Sequence, residues 1–243
     1  MQQKLSTSLE ENQKYFRRIL RTDKNFDIIS RTTMVADRKA VYYFVDGFLK
    51  ESIVEKLLEF FYSVTPEDLP EDAMPYVEVE LLEDCEQITT QILSGVMCLF
   101  IDGYSRCFAM DCRTYPMRSV EEPDKDKVLR GPRDGFVETI VSNTALIRRR
   151  IRNPKLSMEM KNVGSTSHTD VVLCYMEDRV DSGFLQQIEK RLEQIRTDAL
   201  AMNQESLAEC LYPHKWYNPF PKFKFTERPD TAAACLFEGK VVL

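Results

Sequence analysis

One stretch constrains the chain more than any other: residues 129–152, LRGPRDGFVETIVSNTALIRRRIR. It opens on Gly131-Pro132, where Pro fixes φ and Gly reaches backbone angles closed to other residues, so the chain turns there. A helix follows, with Asp134 as its N-cap or Pro132 at its first position. Phe136, Ile140, Ile147 and Ile151, widened by Val137 and Val141, recur at helical spacing and set one face for burial. Arg148, Arg149, Arg150 and Arg152 crowd the last turn, where cations complement the negative end of the helix dipole by about 0.3–1 kcal/mol each. That is enough to read them as an ordinary basic C-terminus. Pro154 then stops the helix.

Strand and helix signals alternate on both sides. Upstream, residues 5–20 predict a helix through Leu9, Phe16 and Leu20. Residues 26–30 predict a short strand, and 40–45 a longer aromatic and β-branched one ended by Asp46-Gly47. Helical periodicity runs over 49–62, a Pro-rich loop over 66–75, and a second helix over 83–93 ending at Gly95. Strands at 96–101 and 106–112 flank Asp102-Gly103 as a hairpin. Downstream, 155–163 and 169–176 predict two strands around Gly164-Ser165. Asp181 or Ser182 caps a helix over 183–196 faced by Phe184, Leu185, Ile188, Leu192 and Ile195. Three prolines hold 212–221 extended, and Lys222-Phe223-Lys224-Phe225 alternates like an edge strand. Residues 230–237 predict a helix ended by Gly239. Residues 240–243 start a strand with no turn and no partner, so the polypeptide is expected to continue past Leu243.

The charged, poorly apolar stretch 119–130 reads as a linker. The expected architecture is therefore α/β: two small lobes, 1–118 and 131–243, each a mixed β-sheet covered by helices. Strands alternating with amphipathic helices must bury their apolar faces on one another. The halves also echo each other. Residues 41–46 with 49–62 parallel 171–177 with 184–195, and the helix–Gly95–strand run parallels the helix–Gly239–strand run. Duplication of one unit and chance recurrence both fit.

Hydrophobic residues make up 43% of the 243, enough for a core, and the net charge of −6 argues against nucleic acid as a partner. No run of about eighteen apolar residues is present, and the N-terminus lacks the apolar core of a signal peptide. Seven cysteines, Cys85, Cys98, Cys107, Cys112, Cys174, Cys210 and Cys235, sit at unrelated spacings. They read as reduced thiols, all free, on a cytosolic face.

Catalytic signals are weak. The two histidines, His168 and His214, stand apart from any CxxC or HxxxH pattern, so neither metal nor cofactor is expected. No phosphate-cradling loop or nucleophile elbow is present. Asp46 and Asp102 end strands beside Gly, where a hydrolase would need both in one cleft; Asp-Gly as a turn pair is the simpler reading. Arg130, Arg133 and Asp134 either line a crevice between lobes or form a solvated turn. Trp216, Tyr217 and Phe220 form a docking surface or pack on their own half. The chain is read as no enzyme.

Two blocks carry a resemblance. GPRDGFVETIVSNTALIRRRI resembles the signature segment of bacterial spore-germination proteins, the family of germinant-receptor A subunits and stage V sporulation protein AF. Residues 225–230, FTERPD, followed by 232–239, resemble that family's TERPD…LEG block, and the 216–221 run WYNPFP leans toward the AF branch. The resemblance runs from about Phe26 onward. It implies a cytosolic-side domain of a spore inner-membrane germination protein, joined to the membrane through a region absent from this sequence. Its partners would be a transporter-like B subunit and a lipoprotein C subunit, and its task to sense or transmit a germination signal. The residues matching the blocks are Gly131, Pro132, Arg133, Asp134, Glu138 and Asn143, with Glu227, Arg228 and Pro229. They are expected to make subunit contacts or an inter-lobe site. The alternative is a soluble module holding a small molecule between its lobes.

Overall fold

The computed structural model describes residues 3–63, 77–114, 134–197, 204–212 and 220–243. Helix α1 (Leu9–Leu20) starts at Ser8, whose hydroxyl accepts the Glu11 N–H, and it buries Leu9, Asn12, Phe16 and Leu20. Strands β1 (Ile28–Val35) and β2 (Arg38–Val45) pair antiparallel from Ile28↔Val45 to Val35↔Arg38. Ala36 and Asp37, both at positive φ, close this hairpin in the geometry that matches strand twist. Helix α2 (Glu51–Ser63), strand β3 (Val79–Leu82), helix α3 (Cys85–Leu93) and strands β4 (Met97–Ile101) and β5 (Cys107–Met110) follow.

These strands form one sheet in the order β1-β2-β4-β5-β3, so the α/β class expected from sequence holds. Within it every neighbouring pair is antiparallel, where a mixed sheet was expected. The turns at 36–37 and 102–106 are too short for a parallel crossover, which needs a dozen or more residues. Strand β4 is buried at all five positions. Cys98 and Phe100 face Phe16 of α1 and Ile88 and Ile92 of α3, while Met97, Leu99 and Ile101 face Leu57 and Phe61 of α2. Both faces are covered, so the strand reads as a continuous apolar run instead of alternating. Phe16 anchors one layer, with its ring centroid 4.8 Å from Phe100 and 6.1 Å from Tyr43.

The chain groups into two compact units. One holds the described residues up to 114 together with Val141–Pro154, and the other holds 134–140 together with Lys155–Leu243. Helix α4 (Ile140–Arg150) thus packs with the first unit, where the sequence pattern puts it in a lobe spanning 131–243. Ala145 joins Val45 and Phe48 in one buried cluster, which is why the helix belongs there. The expected linker 119–130 and the Pro-rich loop lie outside the described residues.

In the second unit, β6 (Leu156–Val163) and β7 (Thr169–Met176) pair antiparallel from Leu156↔Met176 to Val163↔Thr169. Asp181 caps α5 (Ser182–Gln194) by accepting the Phe184 N–H, and α6 (Gln204–Leu211) and α7 (Pro229–Phe237) follow. Ile188 and Leu192 of α5 and Leu207 and Leu211 of α6 pack on Val171, Leu173 and Tyr175. Phe184, expected on the buried face of α5, is exposed. Residues 222–225 form no strand.

The echo between halves has a geometric counterpart. Both hairpins pair an eight-residue strand end to end with an eight-residue strand. After α3, the Gly95 N–H bonds Ile92 O and the Val96 N–H bonds Gln91 O; after α7, Gly239 bonds Leu236 O and Lys240 bonds Cys235 O. These are the same two closing bonds, and both glycines sit at positive φ, +93° and +81°. Three residues past its glycine, Cys98 lies opposite Tyr43, the third-last residue of β2. Three residues past its glycine, Val242 lies opposite Cys174, the third-last residue of β7. Residues 240–243 therefore do have a partner, contrary to expectation: Val242 and Cys174 exchange both backbone bonds, at 2.8 and 2.9 Å.

Candidate functional site

The block at 226–230 builds the start of α7. The Arg228 N–H donates to Thr226 Oγ1 at 3.1 Å, and the Arg228 carbonyl accepts the Ala232 N–H at 3.1 Å. Its guanidinium grips Asp230 through Nε–Oδ1 at 3.0 Å and Nη2–Oδ2 at 2.6 Å. Asp230 Oδ1 also accepts the Thr231 N–H at 2.9 Å. Pro229 fills the first helical turn, where its missing N–H costs nothing, and Asp230 complements the positive end of the dipole. Arg228 and Pro229 are buried and Glu227 is exposed. Two of these three candidates are therefore helix-start chemistry.

The other block splits. Gly131, Pro132 and Arg133 lie outside the described residues. Asp134 is half-buried and Glu138 exposed. The Phe136 N–H donates to the Glu227 carbonyl at 2.8 Å, so the two signature blocks meet through their backbones. Residues 134–139 form no helix, and α4 begins at Ile140 instead of near 134. Asn143, half-buried, lies on α4 in the first unit, whereas the Phe136 to Glu227 junction belongs to the second.

Helix α4 also departs from a simple stripe. Residues Thr144 through Arg148 are all buried, more than one full turn. Arg148, read from sequence as a dipole cation, has 0% of its side chain exposed and Asp27 has 1%. The two form a bidentate pair, Nε–Oδ2 at 2.8 Å and Nη2–Oδ1 at 3.0 Å. The Asp27 carbonyl in turn accepts the Asp46 N–H at 2.7 Å. Sequence reasoning missed this pair, although Val141, Thr144, Ala145 and Arg148 recur at i, i+3, i+4 and i+7 and so put the arginine on a packed face. The pair anchors the helix. Removing one partner would strand a buried charge, at a cost of about 3–5 kcal/mol.

The Asp46 carboxylate serves its own turn, and that of Asp102 holds the start of α1. Asp46 Oδ1 accepts the Gly47 N–H at 2.9 Å, and Asp102 Oδ1 accepts the Leu9 N–H at 3.1 Å. Strands β2 and β4 run antiparallel with Ala40 opposite Ile101, so the two carboxylates lie at opposite ends of the sheet. They share no cleft. Among the described residues, no group of three or more His, Cys, Asp or Glu is placed to hold a metal. An open concavity of the first unit is lined by Leu9, Gln13, Thr32, Thr33, Met34 and Lys39, without paired acid and base groups.

Titration is shifted inside the cores. Burial pushes Tyr43 up to about 12. Burial, and then the hydrogen bond to Glu159 at 2.6 Å, raise Tyr175 well above the usual phenol range. Burial, aided by Asp111, raises the Cys112 thiol to about 11. These groups stay protonated at neutral pH, which suits packing more than proton transfer.

Fold and site define a two-unit α/β domain in which a hairpin and a glycine-closed helix recur and no catalytic constellation is assembled among the described residues. The chain belongs to the Bacillus/Clostridium GerA spore germination protein family, whose model matches residues 14–243. It is 35% identical over 241 residues to stage V sporulation protein AF of Bacillus subtilis, covering 96% of this chain and 49% of that protein. Spore germination protein A1 of B. subtilis is 27% identical over 225 residues, covering 90% of this chain and 46% of that one. The chain thus spans about half the length of these curated relatives. The crystal structure of the N-terminal domain of the A subunit of the Bacillus megaterium spore germinant receptor GerK3 matches with a TM-score of 0.73 at 23% identity. That match covers 99% of this chain and 92% of the other, and it shows a shared fold. Among the described residues, no helix is long and apolar enough to cross a membrane.

Proposed function

We infer that the chain is a domain of a spore inner-membrane germination protein, lying on the cytosolic, core-facing side, that senses or passes on a germination signal through partner subunits. The family match over residues 14–243, joined to the fold of a germinant-receptor A-subunit domain, carries this reading. A relative from B. subtilis, 33% identical over 177 residues, is named as a membrane protein, which supports the location. The partners would be transporter-like B and lipoprotein C subunits or their equivalents. Glu138 and Glu227, exposed on either side of the Phe136 to Glu227 bond, are the side chains best placed to touch such a partner. In this reading Gly131, Pro132, Arg133, Asp134 and Asn143 count as contact residues by their place in the first sequence block, and Arg228 and Pro229 start α7 next to Glu227.

The test uses spores carrying the full gene with an epitope tag. Glu138→Ala and Glu227→Ala should leave protein level near normal, slow germination, and weaken co-purification of partner subunits from inner-membrane fractions. Normal germination at normal protein level would overturn the contact assignment. A deletion strain that germinates at the parental rate would overturn the role itself. A metabolite co-purifying with the domain, with germination unchanged, would favour the small-molecule module.

A further inference from the structure

Strand β1 is an edge of the five-stranded sheet. The Asp46 N–H donates to the Asp27 carbonyl, so the odd-numbered residues of this strand turn their backbone groups toward β2. The even-numbered residues turn theirs outward. Ile28 uses its N–H on the Asn25 carbonyl. That leaves the N–H and C=O of Ser30, Thr32 and Met34, and among the described residues no hydrogen bond reaches them. All three side chains are exposed, Met34 by 45%. Sheet edges are ordinarily blunted by Lys, Pro, a bulge or a covering element. Here the pairing with β2 runs unbroken over the eight residues, and Arg31 is the one charge in the strand.

An edge of this kind is completed by another strand, and its own sequence fits it. Antiparallel self-pairing about a two-fold axis at Thr32 sets Thr32 opposite Thr32 of a second copy, and Ser30 opposite Met34. These are the outward-facing residues, so every open group, two on each of the three residues, bonds at once. Thr facing Thr is also a favourable cross-strand pair. An axis at Arg31 would set two arginines face to face and call on the Ile28 N–H, which is already bonded. An axis at Thr33 would leave Ser30 against the turn at Ala36. The open concavity lined by Thr32, Met34 and Lys39 leaves room beside the chosen axis. We propose that β1 is a homodimer interface, where two copies of this chain join edge to edge through residues 30–34 into one continuous sheet. Each Arg31 lies diagonal to its counterpart on the opposite face, and that repulsion keeps the association weak. The pairing requires neither membrane nor signal, so it can fail while the proposed function stands.

The test is velocity sedimentation of the purified 243-residue chain from about 5 to about 500 µM. A pair of strands buries less than about 1,200 Å², so a dimer that forms within the micromolar range is expected. It should tighten as salt rises, because screening relieves the two arginines, and Arg31→Thr should tighten it about threefold. Thr32→Lys sets two cations on the axis, and Thr32→Pro removes the central donors without touching the β2 ladder. Each should weaken the dimer about tenfold or more and leave thermal unfolding near the parent's, since residue 32 is exposed on an edge. Facing residues of a hydrogen-bonded pair lie about 5.5 Å apart between Cα atoms, within disulfide reach. In a Cys210→Ser background, diamide should therefore link Thr32→Cys into a covalent dimer and leave Met34→Cys monomeric. A monomer at about 500 µM, or a dimer that Thr32→Lys and Thr32→Pro leave intact, overturns the proposal. So does a dimer in which Met34→Cys links and Thr32→Cys does not.

Discussion

The two units share a hairpin, a following helix and a glycine-closed helix, yet the residues after that glycine pair differently. In the first, β4 pairs with β2 at four positions and then with β5, which pairs with β3. In the second, no strand follows α7, and Val242 makes the single Cys174↔Val242 bridge. The buried arginines differ in the same sense. Arg148 reaches Asp27 across 121 residues of sequence, whereas Arg228 grips Asp230 two residues away. The first unit is consolidated by a five-stranded sheet and a buried long-range ion pair, the second by a two-stranded sheet and single backbone ties, Phe136 to Glu227 and Val242 with Cys174. Long-range contacts are the ones whose loss exposes most core at once.

The largest effect should come from the long-range pair. Arg148→Ala leaves Asp27 charged and buried and should cost about 3–5 kcal/mol by denaturant unfolding, much of a domain's stability. The double variant Asp27→Leu/Arg148→Met should recover most of that loss. Arg228→Met removes a pair whose acid is partly solvated, and roughly 1.5–3 kcal/mol is expected. If Arg228→Met proves the more damaging, the contrast between long-range and local anchoring is broken.

Next come the matched glycines. A Cβ at Gly95 would meet Phe48 Cδ2 at 2.5 Å, and one at Gly239 would meet the Arg179 carbonyl oxygen at 2.5 Å. Both sites also impose positive φ on any replacement, a strain of about 1–3 kcal/mol. A side chain yields more readily than backbone, so Gly239→Ala should melt no higher than Gly95→Ala. A stable, freely folding Gly239→Ala protein would undo the equivalence of the two closing turns.

Alkali should act on both units. Tyr43 and Cys112, in the first, titrate in the folded protein near 12 and 11, above their ordinary values of 10 and 9. The folded state then holds protons that the unfolded state has lost. Their stabilisation is complete below about pH 9 and falls as pH rises toward 12, by about 1.4 kcal/mol for each tenfold difference in proton affinity between the two states. Tyr175, also raised, adds the same sign in the second unit. Urea midpoints measured from about pH 8 to about pH 11 should be level at first and then decline. Tyr43→Phe should flatten the decline, and an unchanged slope would remove Tyr43 from the account.

The smallest effect is a reaction rate. Cys210 is exposed and Cys235 half-buried, both in the second unit, while Cys85, Cys98, Cys107, Cys112 and Cys174 are buried. A thiol reagent at about pH 8 should label Cys210 first and Cys235 more slowly, with the other five reacting only in denaturant. Early labelling of Cys98 or Cys107 would show the first unit opening more readily than its contacts imply.

Much of this architecture was legible in local signals. Asp181 as a cap, Gly95 and Gly239 as helix stops, and the eight residues of β7 act over one to five positions, where steric limits and side-chain reach leave few choices. The Asp46 and Asp102 turns were legible for the same reason. The candidate site was legible only as two blocks of sequence. That they meet through the Phe136 N–H and Glu227 carbonyl, and that Arg228 and Pro229 go into starting α7, needed the fold.

Three features were decided by tertiary structure alone: α4 joining the first unit, Arg148 finding Asp27, and Val242 closing on Cys174. Periodicity marks which face of an element is buried but not which surface buries it. Four arginines at one helix end look alike until a distant carboxylate accepts one of them. A buried charge is tolerable only where its partner's geometry is complete, and the fold, bringing residues 27 and 148 together, supplies that geometry.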